Sequence, residues 1–254
     1  MNNVQKNQDP NFYSRDYYLH SCAGSDVFTF GGESSHALYS YIFEKMNVDV
    51  KGKKVLDLGC GRGELCISSM RRGASRVVGL DFSQAAVEIA GEHLRKCSDL
   101  ADKDIEFIQG NALELNLNTQ FDVIFLTDIV EHLFDDQLEI LFNKVHSHLA
   151  PGGIVVIHTM PTKEFIIIGQ YLKFFLYLVK GKKYHFLTFK DQAAETHVNL
   201  HHKEQLKRNL HNFDCKIWYD FADNGPLKRI ISKTPLVRLV SGNLWAVATH
   251  QRID

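Results

Sequence analysis

The sequence predicts an α/β protein built on a mainly parallel, doubly wound sheet, and three observations predict it. Short apolar runs alternate with helical patterns through the middle of the chain, a glycine-rich turn closes the first of those runs, and the composition is that of a globular domain. Of 254 residues, 44% are apolar and 23% charged, enough to bury a full core without requiring a second independent unit. The 29 basic residues nearly balance 30 acidic ones, and the net charge of -1 lacks the broad positive field that a nucleic-acid partner would call for. Cys22, Cys60, Cys66, Cys97 and Cys215 show neither paired zinc spacing nor dense disulfide spacing. With a polar beginning that lacks an apolar run, they point to reduced thiols and a cytoplasmic location.

The elements follow in order. Residues 1–11 read as a polar tail, and the aromatic cluster Phe12, Tyr13, Tyr17 and Tyr18 either anchors a lid over a pocket or packs into the core. A helix is expected over Glu33 to Met46, where Ala37, Leu38, Tyr41, Ile42 and Met46 approximate one face. Then come a strand at Val55 to Leu58, a helix at Glu64 to Arg71, a strand at Arg76 to Leu80 and a helix at Ala85 to Lys96. Further strands are expected at Ile105 to Ile108, Phe121 to Leu126 and Ile154 to His158, with a helix at Asp136 to His148. Strands separated largely by helices favour parallel pairing. A helix at Lys203 to Leu210 and strands at Cys215 to Tyr219 and Leu244 to Thr249 complete the sheet. Phe221 to Gly242, with Pro226 and Pro235, is long for a simple connection and is expected to hold a short helix beside the substrate. The chain thus divides into an N-terminal tail and lid (1–50), a cofactor-binding core (51–160), an acceptor-cover insertion (161–202) and a C-terminal completion of the same domain (203–254).

The strongest signal is Val55-Leu56-Asp57-Leu58-Gly59-Cys60-Gly61-Arg62-Gly63. An apolar strand runs into a turn with three alternate glycines, which lets backbone approach a ligand closely and adopt conformations that a side chain would hinder. Gly59 and Gly61 are expected beside the ligand, and Asp57 orients backbone amides or meets a charged end of that ligand. Asp81 ends the next strand, where a carboxylate can accept from both hydroxyls of a ribose. Nicotinamide dinucleotide sites share this geometry, and Asp81 or Ser83 can instead cap the following helix, so the glycine turn alone leaves the cofactor open.

Taken with Gly79-Leu80-Asp81-Phe82-Ser83, Gly110-Asn111-Ala112, Phe121-Asp122-Val123-Ile124 and Leu149-Ala150-Pro151-Gly152-Gly153, the segment resembles the class I S-adenosylmethionine-dependent methyltransferase family. The resemblance covers about residues 51–160. It implies a Rossmann-like, seven-stranded, mostly parallel sheet with the last strand antiparallel, and S-adenosyl-L-methionine as cofactor. It also implies that Asp57, Gly59, Cys60 and Gly61 surround the methionine portion, that Asp81 and Phe82 meet the ribose, that Asn111 and Ala112 lie at adenine, and that Asp128 and Ile129 complete the contacts. Many family members carry Asp where this chain has Asn111, whose amide can both accept and donate.

After the fourth strand, Asp128-Ile129-Val130-Glu131-His132 can begin an active-site loop, with His132 accepting a proton from the acceptor and Asp128 or Glu131 positioning it. A polar helix start is the structural alternative. The segment is similar to the Glu-His loop of the ubiquinone-biosynthesis O-methyltransferase branch, in which a divalent ion can sit at residues corresponding to Asp128, Glu131 and His132. No further carboxylate cluster secures such an ion here, so no metal is expected.

Phe165 to Val179 is almost continuously apolar, too short to span a bilayer comfortably, and interrupted by Gly169, Gln170 and Lys173. A buried cover helix over a hydrophobic acceptor pocket is expected, with Phe174 and Phe175 stacking on the acceptor. Peripheral membrane contact, suggested by Lys180, Lys182 and Lys183, and an oligomer interface are the alternatives. Tyr13, Tyr17, Tyr18, Tyr184 and His197 are further candidates for the acceptor wall. The expected function is methyl transfer from S-adenosyl-L-methionine to a small hydrophobic or aromatic acceptor, with O-methylation slightly favoured by His132 and N- or C-methylation open. The competing class is a noncatalytic cofactor-binding or partner-binding protein, with a nicotinamide enzyme third. Nucleic-acid methylation is disfavoured by the charge balance.

Overall fold

The computed structural model describes residues 12–22, 24–32, 37–179, 181, 183, 197–223 and 225–251. Seven strands form one sheet: β1 (Lys54–Leu58), β2 (Arg76–Asp81), β3 (Ile105–Gln109), β4 (Phe121–Thr127), β5 (Leu149–Thr159), β6 (Phe213–Tyr219) and β7 (Leu244–His250). Their order is β3-β2-β1-β4-β5-β7-β6. The pairs among β1 to β5 are parallel, and β7, the last strand in sequence, lies antiparallel between β5 and β6.

Alternation along the central strands divides the core between the two faces of the sheet. Leu56 and Leu58 of β1, Ile124 and Leu126 of β4, and Val155 and Ile157 of β5 face one side. There they meet Leu138, Leu141, Phe142 and Val145 of the helix Asp135–His148. Val55, Val123, Phe125 and Val156 face the other side with Ile42, Leu65, Ile67 and Trp245. Because both faces are covered, these strands read as nearly continuous apolar runs rather than as alternating ones.

The described helices are α1 (Ala37–Ser40, continued by a wider turn over Tyr41–Lys45), α2 (Glu64–Arg71), α3 (Gln84–Arg95), α4 (Asp135–His148), α5 (Gln170–Val179), α6 (Lys203–Asn209), α7 (Pro226–Ile231) and α8 (Val237–Val240). The Ser83 hydroxyl accepts from the Ala86 N–H to start α3, while Gln137 caps α4 by accepting from the Phe134 N–H. Residues 33–36 of the expected N-terminal helix lie outside the described residues, and its described part ends at Lys45.

Three expectations change. The Leu149 to Gly153 turn belongs to β5: Leu149 pairs with Phe121 and the register shifts before Val123 meets Ile154, with Gly152 taking φ +76°. The 221–242 connection holds two short helices, α7 and α8, rather than one. The third correction concerns the cover segment. Phe165–Gly169 forms a wide helical turn leading into α5. Its inner face seats Gly169 so closely on α8 that a Cβ there would fall 1.9 Å from the Leu239 carbonyl oxygen. Its outer face carries Phe175, 60% exposed, Leu178, 61% exposed, and Ile167, also exposed. A helix apolar around most of its circumference buries only the side that meets a neighbour, so the described residues do not form a cap buried on all sides.

Strand order reverses around β1, which has β2 on one side and β4 on the other. In doubly wound sheets the crevice beyond the carboxyl ends of such strands receives the ligand. The glycine turn and the Asp128–His132 segment both begin there.

Candidate functional site

The glycine turn is held by main-chain bonds to its neighbouring strand: the Gly59 and Cys60 amides both donate to the Leu80 carbonyl, at 2.8 and 3.1 Å. Gly59 (φ +78°) and Gly61 (φ +51°) lie in left-handed conformations that disfavour a side chain. Gly63 (φ +74°) is also a close approach, because a Cβ would fall 2.6 Å from the Phe107 ring. The turn therefore brings three glycines to the crevice for two distinct reasons, conformation and space.

Asp81 is 4% exposed and organises this rim. One carboxylate oxygen accepts from Gly61 N–H at 2.9 Å, and the other from Ser83 N–H at 2.9 Å, with the Tyr18 hydroxyl at 3.5 Å. Burial pushes its pKa up to about 6, against the lowering effect of those donors. Asp57 is buried deeper, accepts from the Cys66 thiol at 3.4 Å, and is raised to about 7, chiefly by burial. Its Oδ1 is enclosed without a hydrogen-bond partner. Such an atom is costly to leave unpaired, and a donor on a ligand would relieve it.

Two residues of the same turn escaped the sequence reading. Arg62 and Glu64 form a buried ion pair at 2.7 Å, and Arg62 also donates to the Tyr18 carbonyl at 2.8 Å and lies over the Phe28 ring at 4.8 Å. The turn is thereby tied to the N-terminal segment. Tyr18, expected on the acceptor wall, stands beside Asp81 at this turn. Tyr13 and Tyr18 are buried against Ala86 and Ile89 of α3, so these aromatics pack into a core cluster.

The Asn111 side-chain oxygen accepts from Leu113 N–H at 3.0 Å and caps the turn Ala112–Glu114. Ala112 beside it is buried. Phe82 stacks edge-on against Tyr13, with ring centroids 5.0 Å apart.

At the end of β4, Asp128 takes φ +55° and turns the chain into the short helical turn Val130–His132. Ile129 lies over the glycine turn, 3.4 Å from where a Gly59 Cβ would stand. His132 follows with its Nδ1 3.4 Å from the Tyr13 hydroxyl and its ring 4.7 Å from that of His197. Tyr17 packs edge-on against Tyr13 at 5.3 Å, and burial raises its pKa to about 12. Residues far apart in sequence, Tyr13, Tyr17, Glu131, His132 and His197, thus gather at one edge.

The electrostatics of that edge are set by burial. Glu131 is 1% exposed, and desolvation with Asp128 beside it pushes its carboxyl well above the ordinary range. His197 is lowered to about 3, first by burial and then by the neighbouring His132, and is neutral. Glu131, His132 and His197 each offer one ligand atom, all within 4.8 Å of one another. This nitrogen and oxygen set fits a divalent ion, which would have to offset the raised Glu131 pKa. It differs from the set suggested by resemblance, since Asp128 turns one oxygen to within 2.7 Å of His158 Nδ1.

Of the remaining candidates, Phe174 is half-buried and meets Phe175 edge-on at 5.6 Å, on the helix that packs against α8. Tyr184 lies outside the described residues, as do Lys180 and Lys182. His158, a further residue the sequence reading did not single out, could have been signalled by an imidazole at the end of an otherwise apolar strand.

Comparison with known proteins agrees with this architecture. Residues 55–153 match the family model described as a methyltransferase domain. Among curated relatives, the mitochondrial ubiquinone biosynthesis O-methyltransferase of Schizosaccharomyces pombe is 34% identical over 119 residues, 47% of this chain and 42% of that protein. That of Neisseria meningitidis serogroup C is 30% identical over 138 residues, 54% and 53% of the two chains. The ribosomal protein L11 methyltransferase of Fusobacterium nucleatum is 33% identical over 128 residues, 49% and 40% of the two. The chain spans about half the length of these relatives or less. Among solved structures, a DhpI-SAM-HEP complex superposes with a TM-score of 0.61 at 18% identity, covering 98% of this chain and 99% of that one. Magnesium protoporphyrin IX methyltransferase from Synechocystis PCC 6803 gives 0.54 at 16%, covering 94% and 99%. These two show the shared fold.

Proposed function

We propose, from the premise that residues 55–153 form a methyltransferase domain, that the protein transfers the methyl group of S-adenosyl-L-methionine to a small hydrophobic acceptor, with O-methylation favoured. The observation that carries the reading is the convergence, around β1, of the glycine turn with Asp81 on one side and the His132 edge on the other. The cofactor's ribose hydroxyls meet Asp81, and its methionine portion follows the turn from Asp57 to Gly61. Ile129 bridges the two regions, which brings the methyl group toward His132.

The chemistry asks little covalent help of the protein, because the sulfonium is already a good leaving group. An acceptor oxygen attacks the methyl carbon, the carbon–sulfur bond breaks, and S-adenosylhomocysteine leaves with the bonding pair on sulfur. The protein aligns the partners and takes the acceptor's proton. In the tautomer whose Nδ1–H donates to the Tyr13 oxygen, His132 Nε2 is that proton acceptor. Neutral His197 puts no positive charge against the imidazolium that forms. The O-methyltransferase names of several relatives support the oxygen acceptor. Untargeted acceptor profiling with methyl-labelled cofactor, read by mass spectrometry, tests the assignment. Cofactor binding with no labelled product from any acceptor pool would favour a noncatalytic binding protein.

The open face of α5 favours a second feature, peripheral contact with a membrane through which a hydrophobic acceptor arrives. Residues 165–179 and 226–240 carry Lys173, Lys228, Arg229, Lys233 and Arg238 and no acidic residue, and both expose large apolar side chains. No helix among the described residues is long and apolar enough to cross a membrane.

A further inference from the structure

The His158 imidazole sits at the end of β5, 1% exposed, with its ring tilted against Trp245 at a centroid distance of 4.3 Å. Nε2 is hydrogen-bonded to Asn243, while Nδ1 stands at ion-pair distance from Asp128 without the alignment of a hydrogen bond. Nδ1 lies 2.7 Å from Asp128 Oδ1, and Nε2 lies 2.9 Å from Asn243 Oδ1. The backbone of the same residue holds Asp128 as well: the Asp128 N–H donates to the His158 carbonyl at 3.0 Å. Asn243 is fixed in turn, its N–H donating to the Ser241 hydroxyl at 3.1 Å, and Ser241 donates to the Asp220 carbonyl at 2.6 Å. A chain of polar contacts therefore runs from the entrance of β7, through β5, to the residue that follows β4.

What it holds is a conformation that a non-glycine residue rarely adopts. Asp128 stands at φ +55°, where an L side chain crowds the following carbonyl, and such a turn persists only where the surroundings over-determine it. The direction of everything after it depends on that turn: Ile129 over Gly59, and His132 beside Tyr13 and His197. Resting on the reading of this loop as the reacting edge, we propose that His158 is a positioning residue, which through Asp128 fixes the 128–132 loop so that Ile129 and His132 keep their places at cofactor and acceptor.

A purely structural role, as a packed ring beneath Trp245, would make a different set of observations. His158→Leu preserves apolar bulk and removes both polar contacts, while His158→Asn can return an amide N–H near the position of Nδ1. Positioning predicts that His158→Leu accelerates amide exchange of residues 128–132 well beyond that of β5 and β4. With an acceptor identified, kcat should fall roughly 10- to 100-fold, as displacement of a reacting group by about 1 Å can do. His158→Asn should recover loop protection and most of kcat, and Asp128→Ala should reproduce the loss.

Hydrogen exchange followed by mass spectrometry needs no acceptor, so it tests the positioning even if no methyl acceptor exists. The proposal is overturned if His158→Leu lowers the melting temperature while loop exchange stays as in the wild type. It is equally overturned if His158→Asn gives the loop no more protection than His158→Leu. Should His158→Leu fail to fold, Asn243→Ala and Asp128→Ala carry the same comparison from either end of the chain of contacts. Normal loop protection in both variants would then overturn it.

Discussion

At the scale of single residues, the proposed contact of Asp81 with the cofactor's ribose predicts that binding depends on pH. Burial raises its pKa to about 6, above the ordinary aspartate value of 3.8, so the folded protein takes up a proton there more readily than the unfolded chain does. The sign follows: between those values this group favours the folded state as pH falls, whereas ribose recognition needs the ionised form and weakens over the same descent. Calorimetry with S-adenosylhomocysteine should show affinity dropping as pH is lowered through about 6, and in Asp81→Asn the affinity should be weak throughout and lose this dependence. An unpaired ligand hydroxyl costs roughly 1 to 3 kcal/mol, so the wild-type advantage at high pH should be of that size. His132→Ala should separate chemistry from binding: methyl transfer falls by about 10² to 10⁴ while S-adenosylhomocysteine affinity holds. With His132 as the base, chelators should leave single-turnover rates unchanged. A loss restored by added divalent ions would give Glu131, His132 and His197 to a metal instead. The turn beyond β1 was readable because alternate glycines after an apolar strand announce its left-handed conformations locally. Tyr13 and His197 were named as candidates, but their meeting at His132 was not readable, since it depends on packing across three distant segments.

At the scale of elements, sequence patterning located strands and helices to within a residue or two where an element is buried on both faces, as in β1 and α2, and where one face is cleanly apolar, as in α4. It faltered where apolarity had no unique partner. The run from Phe165 to Val179 reads as core by composition, yet only the side around Gly169 meets a neighbour, and the choice of α8 as that neighbour is invisible before folding. The exposed side makes a prediction of its own. Replacing Ile167 and Phe175 together by serine removes exposed apolar area, so it should leave the melting temperature within a few degrees of the wild type while abolishing flotation with vesicles containing anionic lipid. Wild-type protein that fails to float would remove the membrane contact. The same double variant with unchanged turnover of a soluble acceptor would also set aside any acceptor contact by Phe175.

At the scale of the whole molecule, the parallel order of β1 to β5 and the antiparallel β7 were implied by the resemblance together with the alternation of runs. The coupling of the N-terminal segment to the glycine turn was not, because Arg62 reads in sequence as one more residue between two glycines. Its buried pair with Glu64, its bond to the Tyr18 carbonyl and its place over Phe28 join Tyr18 and Phe28 to the glycine turn, beside the Tyr18–Asp81 contact. Ligand binding at that junction should therefore stabilise more of the molecule than the turn alone. S-adenosylhomocysteine at about a hundred times its dissociation constant contributes roughly 2.7 kcal/mol. For a chain of this length that corresponds to a rise in melting temperature of about 5 to 11 °C. Nicotinamide dinucleotides at the same concentration should produce no rise. Hydrogen exchange adds the spatial half of the test: protection on binding should extend from Gly59–Gly63 into Tyr17–Ser21, the helical turn that carries the Arg62 contact. In Arg62→Met the glycine turn should still gain protection while Tyr17–Ser21 does not, because the side chain that transmits the ordering has lost its guanidinium. Equal protection of both segments in that variant would show that the lid closes on the ligand directly, through Tyr18 and Asp81, without Arg62 as the link.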